Sequence, residues 1–362
     1  MTKAYLSLIG IDIKLALRQR AVIFFNYLFP LIFFFTFASV LGARNIPGRA
    51  SYVVTMSLTL GVLGSGFFGA GVRAIQEREM NILRRYKVTP ITPAPLLVAS
   101  MVTGWAIFMP LIVMLLTIAH NVYKMPWPEH LGSLLAFMSL GLIAFRSMGL
   151  IIASVANSMQ EGTILVQLCY LPMMFLSGAT FPIEGFPSWM QQIAKFVPAS
   201  HLVKAVRGML LEHKDIFQSR NAVGALLLAT AIGLIVSIKL FRWEKEQKIE
   251  TSAKLWILAV LLPFFLLGAW QVHAGESLAT TPIFGAGARG NLTGLLYNAR
   301  VLVDGRAINS GAVLLKNGKV VHVYDGEPPA AEWTKAQPIN ASGKTVVISN
   351  GQMVDPSDLF GQ

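Results

Sequence analysis

"LGSLLAFMSLGLIAFRSMGLIIASV", residues 131–155, decides the fold. Its one charge is Arg146, and the stretch is longer than the roughly 20 residues, at about 1.5 Å each, that a hydrocarbon core of about 30 Å requires. A run of this kind reads as a membrane span. Similar runs lie on either side, near Ala21 to Leu41, Ser51 to Gly71, Pro95 to Ala119, Thr163 to Phe181 and Ala222 to Phe241, with a shorter one at Leu255 to Val272. In lipid every backbone N–H and C=O must be paired within the segment, so the runs are expected to be helices, kinked but not broken by Pro30, Pro110 and Pro172. The expected architecture is an all-α polytopic membrane domain of six spans plus a seventh, followed by a small β unit.

Composition agrees. The 362 residues are 54% hydrophobic and 13% charged, where a soluble domain carries about a quarter charged residues. A net charge of +12 would suggest nucleic acid in a soluble protein. Here the Lys and Arg gather between apolar runs, as in membrane topology, and no nucleic-acid partner is expected. Cys169 is the one cysteine, so neither a disulfide nor a cysteine-based metal site can form within the chain.

The basic residues also orient the chain. With the N-terminus cytoplasmic, the inner segments hold Lys3, Lys14, Arg18, Arg20, Arg73, Arg78, Arg84, Arg85, Lys87, Lys239, Arg242, Lys245, Lys248 and Lys254. The outer ones hold the smaller set Arg44, Arg49, Lys124, Lys195, Lys204, Arg207, Lys214 and Arg220. This bias favours a cytoplasmic N-terminus, and the expected location is multi-pass in the cell inner (plasma) membrane. Over residues 3–20, Lys3, Ser7, Gly10, Lys14 and Arg18 fall on one helical face and Leu6, Ile9, Ile13 and Leu17 on another, as in a helix lying at the lipid interface.

Between the second and third spans lies "RAIQEREMNILRRYKVTPITPAP", residues 73–95. Glu77, Arg78, Glu79, Arg84, Arg85 and Lys87 form a mixed-charge turn of helix that Pro90, Pro93 and Pro95 are expected to stop. A solvated loop obeying the positive-inside rule explains the Arg and Lys; it does not require Glu77 and Glu79. After the fifth span comes "LSGATFPIEGFPSWMQQIAKFVPASHLVKAVRGML", residues 176–210, whose proline-punctuated pieces are too short to cross. An external loop with interfacial aromatics is the plainer reading of it.

Taken together, the order of elements and these two motifs resemble the type-2 ABC exporter permeases over about residues 1–250. The resemblance implies that Glu77, Arg78, Glu79, Arg84 and Arg85 couple the chain to a separate ABC ATP-binding subunit. It implies that Gly178, Phe181, Pro182, Pro187, Trp189 and Pro198 belong to an outer re-entrant motif of two short helices. It also implies a second permease copy and membrane lipid as partners, and ATP and Mg held by the ATPase with no cofactor on this chain. Relatives commonly have a Gly near Met80, which this chain lacks. No G-x-x-x-x-G-K-[ST] loop is present; "GAGARGNLTG" lacks the lysine.

Within the spans, Gly61, Ser65 and Gly69 recur every four residues and are assigned to helix packing. Arg146 reads as an interhelical ion-pair partner or a snorkelling side chain, and "NSMQEG", with Asn157, Gln160 and Glu161, as a cytoplasmic turn. Asn26 and Gln167 lie further into their runs. Apolar lining suits an amphipathic, lipid-like, drug-like or glycan cargo.

Residues 251–275 fit a seventh span or an internal signal sequence ending at Val272-His273-Ala274. Residues 276–362 change to alternating sequence, with Asn317-Gly318 as a hairpin signal. An odd seventh crossing would put this unit outside the cell. From Leu295 to Ser349 it resembles the opening β unit of the amidohydrolase superfamily. "SNGQMVDPSDLFGQ" follows where that family has its metal-binding H-x-H, and His322 alone cannot hold a metal. No catalytic or metal site and no hydrolase activity are therefore expected; the competing reading is a membrane-anchored amidohydrolase-type fusion, catalytically incomplete.

Overall fold

The computed structural model describes residues 2–18, 24–44, 48–87, 92–250, 252, 255–274, 278, 294–303, 306–316, 319–329, 337–340, 345–349 and 352–354. The chain divides into two compact units, Met1–Thr281 and Pro282–Gln362.

The first unit is helical. It runs α1 (Thr2–Arg18), α2 (Phe29–Val40, entered through a π turn at Phe24–Leu28), α3 (Arg49–Gly66), a π turn (Phe67–Val72), α4 (Arg73–Glu79), α5 (Ile82–Lys87), α6 (Pro93–Tyr123), α7 (Leu131–Val155) and α8 (Met159–Leu176). There follow α9 (Ser188–Ala194), α10 (Pro198–Leu211), α11 (Arg220–Lys239) and α12 (Trp256–His273). Four helices among the described residues are long and apolar enough to cross a membrane: Arg49–Glu79, Pro93–Tyr123, Leu131–Val155 and Ile216–Lys239. Asn26–Val40 and Leu258–His273 are apolar but shorter, and α8 carries Gln160, Glu161 and Gln167. Six runs and a seventh were expected; four meet that standard.

Pro110, Pro172 and Pro263 sit inside unbroken helices, whereas Pro30 lies in the first turn of α2. Pro93 opens α6 instead of stopping the helix before it, a position where the missing N–H is not needed. Pro90 lies outside the described residues, as do the expected turn at 317–318 and residues 285–293 of the glycine-rich stretch.

The apolar character has two destinations. Leu134, Phe137, Met138, Leu142, Phe145, Ile151 and Val155 of α7 are fully buried, and α3, α10 and α11 surround them. Ile164, Leu168, Leu171 and Phe175, spaced along one face of α8, are exposed, as are Leu227, Leu228, Ile235 and Ile238 of α11. Apolar faces turned both inward and outward belong to a solvent of hydrocarbon. This is a multi-pass membrane protein.

Glycine lets α7 approach its neighbours at backbone distance. A Cβ on Gly149 would lie 2.1 Å from the Gly66 carbonyl oxygen, and one on Gly71 would lie 2.8 Å from the Gly149 oxygen. The crossing falls at the π turn of residues 67–72, where the wider coil changes the azimuth of α4 relative to α3. On other faces, Gly141 makes room for Leu202 of α10, and Gly233 of α11 for Ser147. Small residues allow such approaches where lipid supplies no hydrophobic drive between helices.

Helix α12 lies against the α9–α10 pair. A Cβ on Gly268 would stand 2.7 Å from the Lys195 oxygen, Phe264 is fully buried with its ring 6.0 Å from that of His201, and Phe265 meets Phe196. Leu278 then joins Ile183 and Ala194 in a small buried cluster.

The second unit is a six-stranded sheet, β1 (Gly294–Val303), β2 (Arg306–Lys316), β3 (Lys319–Asp325), β4 (Gln337–Asn340), β5 (Thr345–Ser349) and β6 (Gln352–Val354). The order is β3-β2-β1-β5-β6, with β4 also on β1; β1 pairs antiparallel with β2 and parallel with β4 and β5. Leu295, Val301, Ala312 and Val313 are buried, and His322 is exposed beside Tyr324.

The backbone contact gives a paired test on one helix. Gly149→Ala should cost about 1–3 kcal/mol through overpacking, and Gly132→Ala, where a Cβ meets nothing within 4 Å, should leave stability unchanged or slightly raised. Unfolding in detergent followed by tryptophan fluorescence reads both. Equal stability of Gly149→Ala and the parent would refute the close crossing.

Candidate functional site

The charged stretch after the second run does not form one turn of helix. Helix α4 continues the rod Arg49–Glu79, and the chain reverses at Met80 and Asn81 into the separate helix α5. Asn81 takes the left-handed conformation, φ 56°, and donates its N–H to the Arg78 carbonyl at 3.0 Å. Asparagine is among the side chains that tolerate this region, which explains how the turn forms without a glycine near Met80.

The two faces of α4 do different things. Ile75 and Arg78, three residues apart, face the end of α7. Ile75 is fully buried against Ala153 and Ala156, where Gly162 leaves it space. Arg78, 3% exposed, donates Nη1 to the Ala153 oxygen at 2.8 Å and Nη2 to the Ala156 oxygen at 2.6 Å. On another face, Arg73 donates Nε to Glu77 Oε1 at 2.8 Å and Nη2 to Asp12 Oδ1 of α1 at 3.2 Å. Glu77 therefore has its partner within the chain. Glu79 is half-buried, and Arg84 and Arg85 are exposed on α5.

Helix α5 is held from two sides. Leu83 is buried, and Lys87 Nζ lies 3.0 Å from Glu244 Oε1, with Arg84 at 4.0 Å from the same oxygen. Burial, with the Asp12 and Glu77 carboxylates nearby, pushes the Tyr86 phenol above its ordinary range.

Residues 240–250, following α11, run beneath the α7–α8 turn as a strap. Arg242 donates to the Ser154 oxygen (2.9 Å), to Asn157 Oδ1 (2.8 Å), to the Gln247 oxygen (2.6 Å) and to the Ala156 oxygen. Asn157 pairs with Ile249 as one backbone would with another, through Oδ1 from the Ile249 N–H (2.8 Å) and Nδ2 to the Ile249 oxygen (3.0 Å). Ser158 caps α8 by accepting the Glu161 N–H, while Glu161 Oε2 accepts the Asn157 N–H at 2.8 Å. Burial and the charge of Arg78 pull the Arg242 guanidinium down to about 10, which leaves it protonated at neutral pH. Sequence reasoning missed Asp12, Arg242 and Glu244 as members of this junction. The positive-inside rule absorbs Arg242, and Asp12 and Glu244 lie far along the chain from the cations they meet, Arg73 and Lys87.

Deeper in the bundle, Arg146 is buried and, among the described residues, has no carboxylate partner. It donates to the oxygen and hydroxyl of Ser65 (3.1 and 3.0 Å) and to those of Ser100 (2.6 and 3.0 Å), tying α7 to α3 and α6. A Cβ on Gly104 would stand 2.2 Å from its guanidinium carbon, and one on Gly69 3.4 Å from Nη1. Gly61 faces Phe108 instead. Thus Ser65 and Gly69 surround a cation, and Gly61 a ring.

At the opposite end, Gly178 turns the chain with φ +83°, Phe181 is exposed and stacks on Phe175, and Pro182 leads into a single 3-10 turn. Pro187 precedes α9, which exposes Trp189, and Pro198 is buried at the start of α10. His201 Nε2 lies 2.9 Å from the Lys195 oxygen. Among the described residues no group of three or more His, Cys, Asp or Glu is placed to hold a metal.

The sequence profile of the ABC-2 type transporter family matches residues 3–211, which take in α1 through α10 with both motifs. The chain belongs to that family. It is 28% identical over 144 residues to the inner membrane transport permease YhhJ of Escherichia coli K12, covering 39% of this chain and 38% of the relative. It is 32% identical over 108 residues to nodulation protein J of Rhizobium leguminosarum bv. trifolii, covering 30% and 41%. The chain thus spans about two fifths of the length of these curated relatives. Within this ABC-2 family chain the strap, α12 and the sheet lie beyond the matched residues, whereas Arg78 and Arg146 lie inside them.

Arg146 offers a test of what the cation is for. Arg146→Met, close in volume and free of donors, should equal or exceed the parent in detergent melting, because replacing a buried charge by a well-packed apolar group is often neutral or gains about 1–4 kcal/mol. Arg146→Ala should melt lower, by the about 2–5 kcal/mol typical of a large-to-small change. Arg146→Met melting as low as Arg146→Ala would mean that the four hydrogen bonds, not the volume, hold the three helices together.

Proposed function

We propose that this chain is the membrane-spanning permease subunit of an ATP-driven ABC exporter, coupling hydrolysis by a separate ATP-binding subunit to efflux of an amphipathic, lipid-like, drug-like or glycan substrate. The observation that carries the reading is the rod Arg49–Glu79, which ends in a short charged hairpin whose Glu79, Arg84 and Arg85 are not consumed by the buried contacts of Arg78. Membership of the ABC-2 family supports it, as does the naming of a relative as a transport permease. In this reading ATP and Mg stay on the ATPase, which would seat the hairpin, and two permease copies stand side by side among lipid.

The rest of the topology follows from charge. Six runs and α12 cross the inner (plasma) membrane, with α1, the hairpin and the strap on the cytoplasmic side, the α9–α10 pair re-entering from the outside and the sheet outside the cell. The tail's likeness to the amidohydrolase opening unit rests on sequence pattern alone, and nothing at His322 favours a hydrolase.

Co-expression with an ATP-binding subunit tests the docking. Glu79→Lys, Arg84→Glu and Arg85→Glu together should reduce co-purification about tenfold or more, since close charged pairs at interfaces are worth roughly 1.5 kcal/mol upward, while detergent melting of the permease stays put. Undiminished co-purification refutes the docking surface. Sidedness is read separately with Arg85→Cys in a Cys169→Ala background, which a membrane-impermeant maleimide should label only after the cells are opened. Labelling of intact cells would put the hairpin outside and end the exporter reading.

A further inference from the structure

Arg78 sits in the most charged stretch of the chain, yet it is 3% exposed, and both of its terminal nitrogens are spent on the end of α7. No partner protein can reach it there. Arg242, 7% exposed and 164 positions away by number, reaches the same place and shares the Ala156 oxygen with Arg78. A helix leaves its last four carbonyls without intrahelical partners. On α7 the oxygens of Ala153 and Ser154, and of Ala156 just beyond, are taken by these two guanidinium groups. Two cations at one helix C-terminus also meet the negative end of its dipole.

Their mutual repulsion is moderated by Glu161, whose charge acts on both and whose carboxylate is anchored on the Asn157 N–H. The arrangement is a shared socket. Arg78 enters it from the rod that ends in the charged hairpin, Arg242 from the strap, and the strap's Glu244 holds Lys87 of that same hairpin.

We infer that Arg78 and Arg242 are positioning residues that fasten the end of α7 to the α4–α5 hairpin and the strap, so that a displacement of the hairpin is delivered to α7. This inference rests on the exporter reading. The other end of the path is α7 itself, in backbone contact with α3 at Gly149 and bonded through Arg146 to α3 and α6, so a push at its end moves several helices at once. The planar guanidinium is required because one group must meet two carbonyls a turn apart, Ala153 and Ala156. An ammonium keeps the charge and loses that fork.

The test uses the full chain assembled with its ATP-binding subunit, in a Cys169→Ala background with Gly132→Cys at the far end of α7, where a new Cβ meets nothing. The readout is the rate of maleimide labelling at that cysteine without nucleotide and after vanadate trapping with Mg-ATP. In Arg78→Lys, and separately in Arg242→Lys, the subunit should co-purify as with the parent, and melting should fall by a few degrees at most, because the ammonium still serves one of the carbonyls. The nucleotide-dependent change in labelling should fall about threefold or more, the range in which coupling residues act. A full labelling change in both variants overturns the inference and leaves the exporter reading standing. Loss of assembly in both also overturns it, because the arginines would then be scaffold. No co-purification of the parent overturns the exporter reading, and the inference with it.

Discussion

A carbonyl oxygen at the end of a buried helix needs a donor, and most of this fold's polar organisation follows from supplying donors to α7. Each unsatisfied backbone group in an apolar surrounding costs several kcal/mol. The end of α7 is sealed by side chains from α4 and from the strap. Those donors bring their own elements with them, so the hairpin, the strap and the α7–α8 turn are ordered by one requirement. The same logic operates midway along α7, where Arg146 finds oxygens and hydroxyls on two neighbouring helices.

The second constraint is width. With hydrocarbon outside, helices gain little by burying apolar surface against one another, and contact must come from close fit. Gly66, Gly71 and Gly149 bring two backbones together at the π turn, and Gly104 yields the volume that the Arg146 guanidinium fills. Fit and donor supply are therefore coupled, since the approach that packs the helices also brings serine oxygens within reach of the cation.

How much of this the sequence disclosed depends on distance along the chain. Local composition exposes the long apolar runs, and α3, α6, α7 and α11 form where they were expected. Alternation exposes the strands of the tail. The fate of a polar residue is another matter. Arg78 and Arg84 look alike in "EREMNILRR", but Arg78 is buried only because α7 ends beside it, 75 residues later. Arg146 has the same history, its partners Ser65 and Ser100 lying 81 and 46 positions away. The left-handed turn is hidden for a different reason: Asn81 stands one place from where a glycine was looked for.

Helix α12 alters what the tail of this chain can be. Its Gly268 rests on the Lys195 carbonyl and its Phe264 covers the imidazole of His201, so it upholsters polar atoms of the α9–α10 pair. A segment that fills such a seat is masonry and not a leash. The boundary of the membrane body is therefore drawn by contact, beyond the last residue that kinship with other permeases would mark.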